Sequence, residues 1–186
     1  MRTNTEIMTE DIAPTELTTQ LLDLVAGDGR MNERIEVMEH HMLQCEQVEI
    51  PVREWFVNGM YAREVVVPAG TLVTGRVHKR AHLLVMSEGD ALIATPQGVV
   101  RMKGPMTMEG LPGRKIAGYA FTDVRWLSID RSDSPDMAGA LDDVTVVSMR
   151  EFLALSHAER DKLPAEVWAA PETETEKDQC PQLLQL

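Results

Sequence analysis

The sequence predicts a mainly β fold, an antiparallel sandwich or barrel with a helical extension at each end. Three observations carry that expectation. From Tyr61 to Ile129 the chain is cut into short β-branched runs; glycine and proline clusters punctuate it every eight to twelve residues; and no helix-period segment interrupts the series. Helical patterning is confined to the flanks, before residue 48 and after residue 132.

Taken in order, Pro14 and Thr15 open a first helix over 14–26 that sets Leu17, Leu21, Leu24 and Val25 on one side, with Gly27 past its end. Asp28 and Gly29 form a break. Met31, Ile35, Met38, Met42 and Cys45 then recur at helical spacing, a short apolar seam that must dock on the β region or on a second subunit. The expected strands are 61–67, 71–77, 82–86, 91–95, 99–102, 106–109, 115–121 and 124–129. Residues 133–136 read as a linker. Ser148 with Glu151 is a capping box opening a C-terminal helix, and Ser156 with Glu159 repeats it. The organisation is a helical arm over 1–48, a β region over 49–132, a linker with short helices over 133–170, and a flexible acidic tail over 171–186.

The length of 186 residues suits one core. Charge is segregated: residues 1–48 carry ten acidic and three basic side chains, 133–186 twelve and four, and the middle eight and eleven. The net charge of −12 argues against nonspecific binding to nucleic acid or an anionic membrane. No apolar run reaches the roughly 18 residues needed to span a bilayer, and the first residues lack a secretory signal. Cys45 and Cys180 lie far apart, so the expected setting is a reducing, unexported one.

Gly70, Arg76, His78, His82 and Gly89 stand at the intervals of a known motif. The spacing resembles the first motif of the cupin (RmlC-like) superfamily, in which two histidines and a glutamate bind metal; here Arg76 holds the first histidine position, His78 the second and His82 the glutamate position. The second cupin motif is represented only by Gly104, Pro112, Gly113 and Gly118, and no histidine follows Pro112. The stretches 47–51, 55–64, 68–78 and 112–121 are also similar to small cupin-like proteins encoded by tailed bacteriophages. The resemblance implies a cupin-type antiparallel β-barrel, a double-stranded β-helix, over about residues 55–132.

Three readings of the polar residues stay open. His78 and His82 supply two nitrogens for iron, manganese, nickel or zinc, with a third ligand to come from Glu64, Glu109 or Tyr119. Alternatively, Arg63, Arg76, His78, His82 and Tyr119 form a pocket for a small anion, to which a guanidinium offers bidentate contacts. Or the group is a satisfied hydrogen-bond network with no cofactor. Other arrangements are weaker. His40 and His41 diverge and read as a solvated pair, His157 lies on a capping-box helix, Ser87 and Glu88 lack a nucleophile elbow, and Cys45 sits on an apolar seam where burial quiets a thiol.

The functional expectation is a non-catalytic interaction protein of the host cytoplasm or a phage virion. It would form a homo-oligomer or dock on other phage structural proteins through Met31, Ile35, Met38 and Met42. The alternatives are a metal-dependent dioxygenase or isomerase and an anion binder.

Overall fold

A computed structural model describes residues 14–27 and 30–161 of the chain. Residues 1–13, the break at Asp28–Gly29, Cys180 and the acidic tail expected over 171–186 lie outside the described residues.

Two helices, α1 (Pro14–Val25) and α2 (Met31–Met42), precede ten strands: β1 (Val52–Val57), β2 (Met60–Val67), β3 (Leu72–Thr74), β4 (Val77–His78), β5 (His82–Glu88), β6 (Asp90–Thr95), β7 (Gly98–Lys103), β8 (Met106–Gly110), β9 (Ala117–Ala120) and β10 (Val124–Arg131). Helix α3 (Met137–Val144), strand β11 (Thr145–Val146) and helix α4 (Met149–Ala154) follow. One antiparallel sheet runs β1-β2-β10-β5-β8 and a second β3-β9-β6-β7, with β11-β4 as a two-stranded ladder. Counting core strands from β2 and omitting the short β4, the first sheet reads first-eighth-third-sixth and the second reads second-seventh-fourth-fifth. That order is the double Greek key of a jelly roll. The fold class is therefore mainly β, antiparallel, with helices at both ends. Among the described residues the ladders form separate sheets, so the expected cylinder is realised as two facing sheets.

Each expected strand is present, with 71–77 split into β3 and β4 at Gly75 and Arg76. Three elements go beyond the sequence expectation, the two-residue β11 among them. Strand β1 is paired to β2 through Asn58 and Gly59, both at positive φ, the two-residue type I′ turn whose twist suits a hairpin. Helix α3 follows the 133–136 linker, in the stretch expected to hold short helices but with no helix assigned at its place; Asp136 caps it by accepting from the Gly139 N–H.

Alternation along the strands builds the inner core from Val67, Leu84, Met86, Ile93, Met102, Met108 and Val124. The opposite face of the four-stranded sheet is covered by α1 and α2, whose Leu22, Val25, Met31, Ile35 and Met38 pack on Ala94, Ala117 and Tyr119. Each such side chain contributes about 2 kcal/mol of burial. The seam expected to face a neighbouring subunit is thus spent within the chain: Met31, Ile35 and Met38 are buried and Met42 is packed against the same cluster. Two further expectations are corrected. Leu24 points to solvent while Leu22 takes its place in the core, because α1 is rotated about one residue from the assumed face. Cys45 follows the end of α2 and is exposed.

Polar groups on α2 fix what lies around it. Asn32 donates to the Gly113 carbonyl at 2.6 Å and accepts from the Lys115 N–H at 3.0 Å, while Glu36 accepts from the Met149 N–H at 2.6 Å. Arg34 donates to the Val25, Ala26 and Gly27 carbonyls, the orphan acceptors at the end of α1. At the other terminus Ser148 caps α4 through the Glu151 N–H at 3.2 Å, as its capping box predicts. The Ser156–Glu159 repeat forms a single turn, with the Ser156 N–H donating to the Glu159 carboxylate at 2.9 Å.

Gly89 is at φ +113°, and a Cβ there would lie 2.7 Å from the Asp123 carbonyl oxygen and 2.8 Å from Val124. Gly70, at φ +78°, has open space. Gly70→Ala should therefore cost only the left-handed backbone strain, about 1 kcal/mol, whereas Gly89→Ala adds a clash and should cost about 3 kcal/mol. Urea unfolding of the two variants checks this; equal losses would contradict the close approach.

Candidate functional site

The inner face of the five-stranded sheet changes character along its length. At one end, register sets Tyr61 beside Asp130; one step inward Arg63, Ser128 and Leu84 align; next come Val65, Trp126 and Met86, then Val67 and Val124. Strand alternation alone therefore produces a polar end and an apolar end on one continuous surface. The two sheets part over this surface and enclose a cavity of about 430 Å³. Ile93, Ala91, Val73 and Ile116 form the opposite wall, and Leu141, Val144 and Thr145 border the polar end.

Two arginines face the cavity. Arg63 Nε stands 3.6 Å from Glu54 Oε1, and Arg76 donates to Asp142 Oδ1 at 2.9 Å. The Nε atom of each is buried and has no hydrogen-bond partner. Asp142 is itself 81% exposed, so its bond to Arg76 is weak in free energy, on the order of 0–1 kcal/mol, and exchangeable. Glu54 accepts a short hydrogen bond from the Tyr61 hydroxyl, and burial together with that carboxylate pushes the phenol well above its usual range.

His78 sits on β4, which β11 pairs from outside, and His82 opens β5. Their rings stack at 3.7 Å between centroids and 15° between planes. His78 Nδ1 lies 2.8 Å from Asp130 Oδ1, and with a carboxylate as its partner this nitrogen carries the proton and donates. His82 Nδ1 is 3.1 Å from the Arg80 carbonyl, which makes it a donor too, and 3.9 Å from Asp130 Oδ1. His82 Nε2 is buried without a partner and faces Gly110, where an added Cβ would come within 2.1 Å of it. Burial, and then the neighbouring His78, lower the His82 pKa to about 4. Nearby Arg114, 7% exposed, has an unpartnered Nε and is held down to about 10 by burial alone.

His78, His82 and Asp130 offer ligand atoms within 4.8 Å of one another, the one such group of three among the described residues. Their present geometry is not that of a metal centre. Imidazole lone pairs lie in the ring planes, so with nearly parallel rings an ion in the plane of one stands far out of the plane of the other. The His78–Asp130 contact is a closed hydrogen bond, and His82 Nδ1 is engaged by a backbone oxygen. The donor set is right for a divalent ion and its arrangement does not fit one.

Of the residues expected at a site, the structure brings Arg63, Arg76 and His78 to the cavity; His82 lies behind His78, outside the lining. Tyr119 borders the cavity, but its register with Leu72 and Leu92 puts its ring on the helix-covered face, edge-on to Phe121 at 5.4 Å. None of the three proposed third ligands joins the histidines. Glu64 points to the outer face and accepts from Arg125 at 2.8 Å, Glu109 is exposed on the edge strand, and Tyr119 is turned away. The carboxylate that does join them, Asp130, lies one residue past the expected strand end at Ile129, on a strand that runs to Arg131. Val124, Trp126, Ser128 and Asp130 share one parity, and continuing that alternation by one residue places a carboxylate inside. His40, His41 and His157 are exposed.

No protein-family model and no curated protein sequence matches the chain. Among solved structures, it is similar to a cupin domain from Bordetella pertussis, with 18% identity over 47% of this chain and 97% of that one at a TM-score of 0.38. It is also similar to a cupin superfamily protein from Desulfitobacterium hafniense, with 10% identity over 47% and 81% at 0.40. A cupin-like protein from Thermotoga maritima gives 14% over 46% and 70% at 0.40. No described helix is long and apolar enough to cross a membrane.

Keeping His82 neutral has a measurable consequence. The ring takes up a proton at about pH 4 in the fold and near 6.5 when unfolded, so acidification protonates the unfolded chain first. Stability is unaffected by this group above about pH 6.5 and falls as pH drops toward 4. The loss from this one ring between pH 7 and 4.5 should be about 2–3 kcal/mol. Urea unfolding at both pH values should show that increment in the parent and not in His82→Gln; equal pH dependence in the two proteins would contradict the assignment.

Proposed function

We propose that the chain is a binding protein for a small amphipathic anion, a carboxylate or phosphate head on an apolar body, held between the two sheets. The observation that carries this reading is the pair of guanidiniums that line the polar end of a cavity with apolar walls, each held by no more than a weak or solvent-exposed carboxylate. A guanidinium offers an incoming anion charge-assisted contacts through its terminal nitrogens. Its head would lie by Arg63, Arg76 and His78, and its body would run toward Val67 and Trp126. The volume of about 430 Å³ falls within the range of small-molecule sites.

Octanoate is a suitable probe. It should raise the melting temperature of the full chain and bind measurably by calorimetry, because a ligand that binds only the folded state stabilises it. Arg63→Leu and Arg76→Ala should each weaken binding about tenfold or more, the loss of a charge-assisted contact. No effect on the parent protein, or full affinity in both variants, would overturn the reading.

A second reading, a metal-dependent cupin enzyme, has the clustered donors of His78, His82 and Asp130 in its favour. The stacked rings and the closed His78–Asp130 bond count against it. Elemental analysis of untagged protein should give far less than one iron, manganese, nickel or zinc per chain. Near-stoichiometric metal that disappears in His78→Ala would favour the enzyme instead. A part in phage assembly through the N-terminal arm would need an exposed seam, and Met31, Ile35 and Met38 are covered by the chain's own sheet.

A further inference from the structure

The cavity takes up only part of the space between the two sheets, and its lining ends, row by row, at a methionine one strand further on. Trp126 lines the cavity, and its partner on β5 is Met86; Leu84 lines it, and its partner on β8 is Met108; Ala91 lines it, and its partner on β7 is Met102. Met106 stands beside Met86 on β8. Side chains directly opposite on adjacent strands lie about 5 Å apart, so each of these methionines backs the wall at contact range. Met86, Met102 and Met108 are buried in the same apolar cluster as Leu84, Ile93 and Val124. Of its nine buried residues three are methionine and none is aromatic, so the block behind the wall is built largely from unbranched side chains with three rotatable bonds. The rest of the lining is stiffer: Val65, Val67, Val73, Ile93 and Ile116 are β-branched and restricted at χ1.

We infer that this methionine block is a yielding wall, and that the site takes carboxylic acids whose apolar bodies differ in width, straight chains and compact ring-bearing bodies alike. The inference rests on the anion site proposed above: the head is fixed at Arg63 and Arg76, and the width of the body is accommodated rather than selected. A slender chain fits the cavity of about 430 Å³ as it stands. A wider body presses on Trp126, Leu84 and Ala91, and each gives way as its methionine neighbour turns to another staggered rotamer. A close-packed interior of branched side chains resists such a change, because added volume forces strained rotamers. Here the displaced volume has an outlet, since Met106 is only half-buried and β8 is the edge strand of its sheet. Width is therefore gained toward β5, β7 and β8, and the polar end keeps its geometry.

Calorimetry of the full chain with octanoate and with adamantaneacetate, a cage-shaped body on the same head, tests this. Both acids should bind the parent protein, with affinities within about tenfold of each other. The triple variant Met86→Leu, Met102→Leu and Met108→Leu keeps core volume and polarity but replaces unbranched side chains with branched ones. In it octanoate should bind as before and the cage acid about tenfold more weakly or worse. Should that variant misfold, methionine methyl spectra of the parent decide: the cage acid should shift the signals of these three residues more than octanoate does. A parent that binds octanoate and rejects the cage acid would overturn the inference and leave the anion site standing. So would a bound cage acid that leaves the three methyl signals unmoved, or a folded triple variant that holds it at full affinity. A parent that binds neither acid would overturn the anion site itself, and the yielding wall with it.

Discussion

The inner face of the five-stranded sheet runs from polar to apolar, and most other features of the molecule follow from that gradient. Tyr61, Arg63, Val65 and Val67 on β2 are matched across the ladder by Asp130, Ser128, Trp126 and Val124 on β10. Val67, Ile93 and Val124 form the apolar wall of the cavity, and past them Met86, Met102 and Met108 fill the apolar end as a core. The polar end cannot close in that way, because guanidinium and carboxylate groups lose too much hydration when packed against hydrocarbon. The sheets stay apart there, and α3, β11 and the β4 strand are arranged around the opening rather than across it.

The polar end solves its electrostatics in two unequal halves. On one side Asp130 is satisfied at one oxygen by His78, which in turn stacks on a neutral His82. The rings of that half are committed to each other, while Asp130 Oδ2 and His82 Nε2 stay buried without partners. On the other side Arg63 and Arg76 hold only marginal partners, Glu54 at 3.6 Å and a largely exposed Asp142. The cavity lining therefore holds two guanidiniums and no carboxylate, the acidic partners standing behind them. A ligand of opposite sign is the simplest completion of such a site, and a cation is the least favourable one.

The strand pattern was legible in the sequence because alternation and turn chemistry are local: the strands from Tyr61 to Ile129, the cap at Ser148 and the seam of α2 are read from neighbours alone. What failed depended on distance. Nothing local told that the seam of α2 would land on Ala94 and Ala117 rather than on another subunit. Asp130 was missed for want of one more step of alternation, and Tyr119 was misassigned because a one-residue change of parity on a strand reverses the face. Helix α3 contains Gly139 and only eight residues, too little periodicity to stand out, and it exists because Ala140 and Val144 dock on Tyr61. Histidine spacing alone could not reveal that the rings would stack instead of converging.

The gradient itself can be tested without reference to affinity. Crystals of the full chain grown with a terminally brominated medium-chain carboxylic acid would locate both ends of the molecule, the bromine by its anomalous signal. The account predicts the carboxylate within hydrogen-bonding distance of Arg63 or Arg76 and the bromine beside Trp126 and Val67. A bromine at the arginine end with the carboxylate against the valines, or an acid found only outside the two sheets, would contradict it.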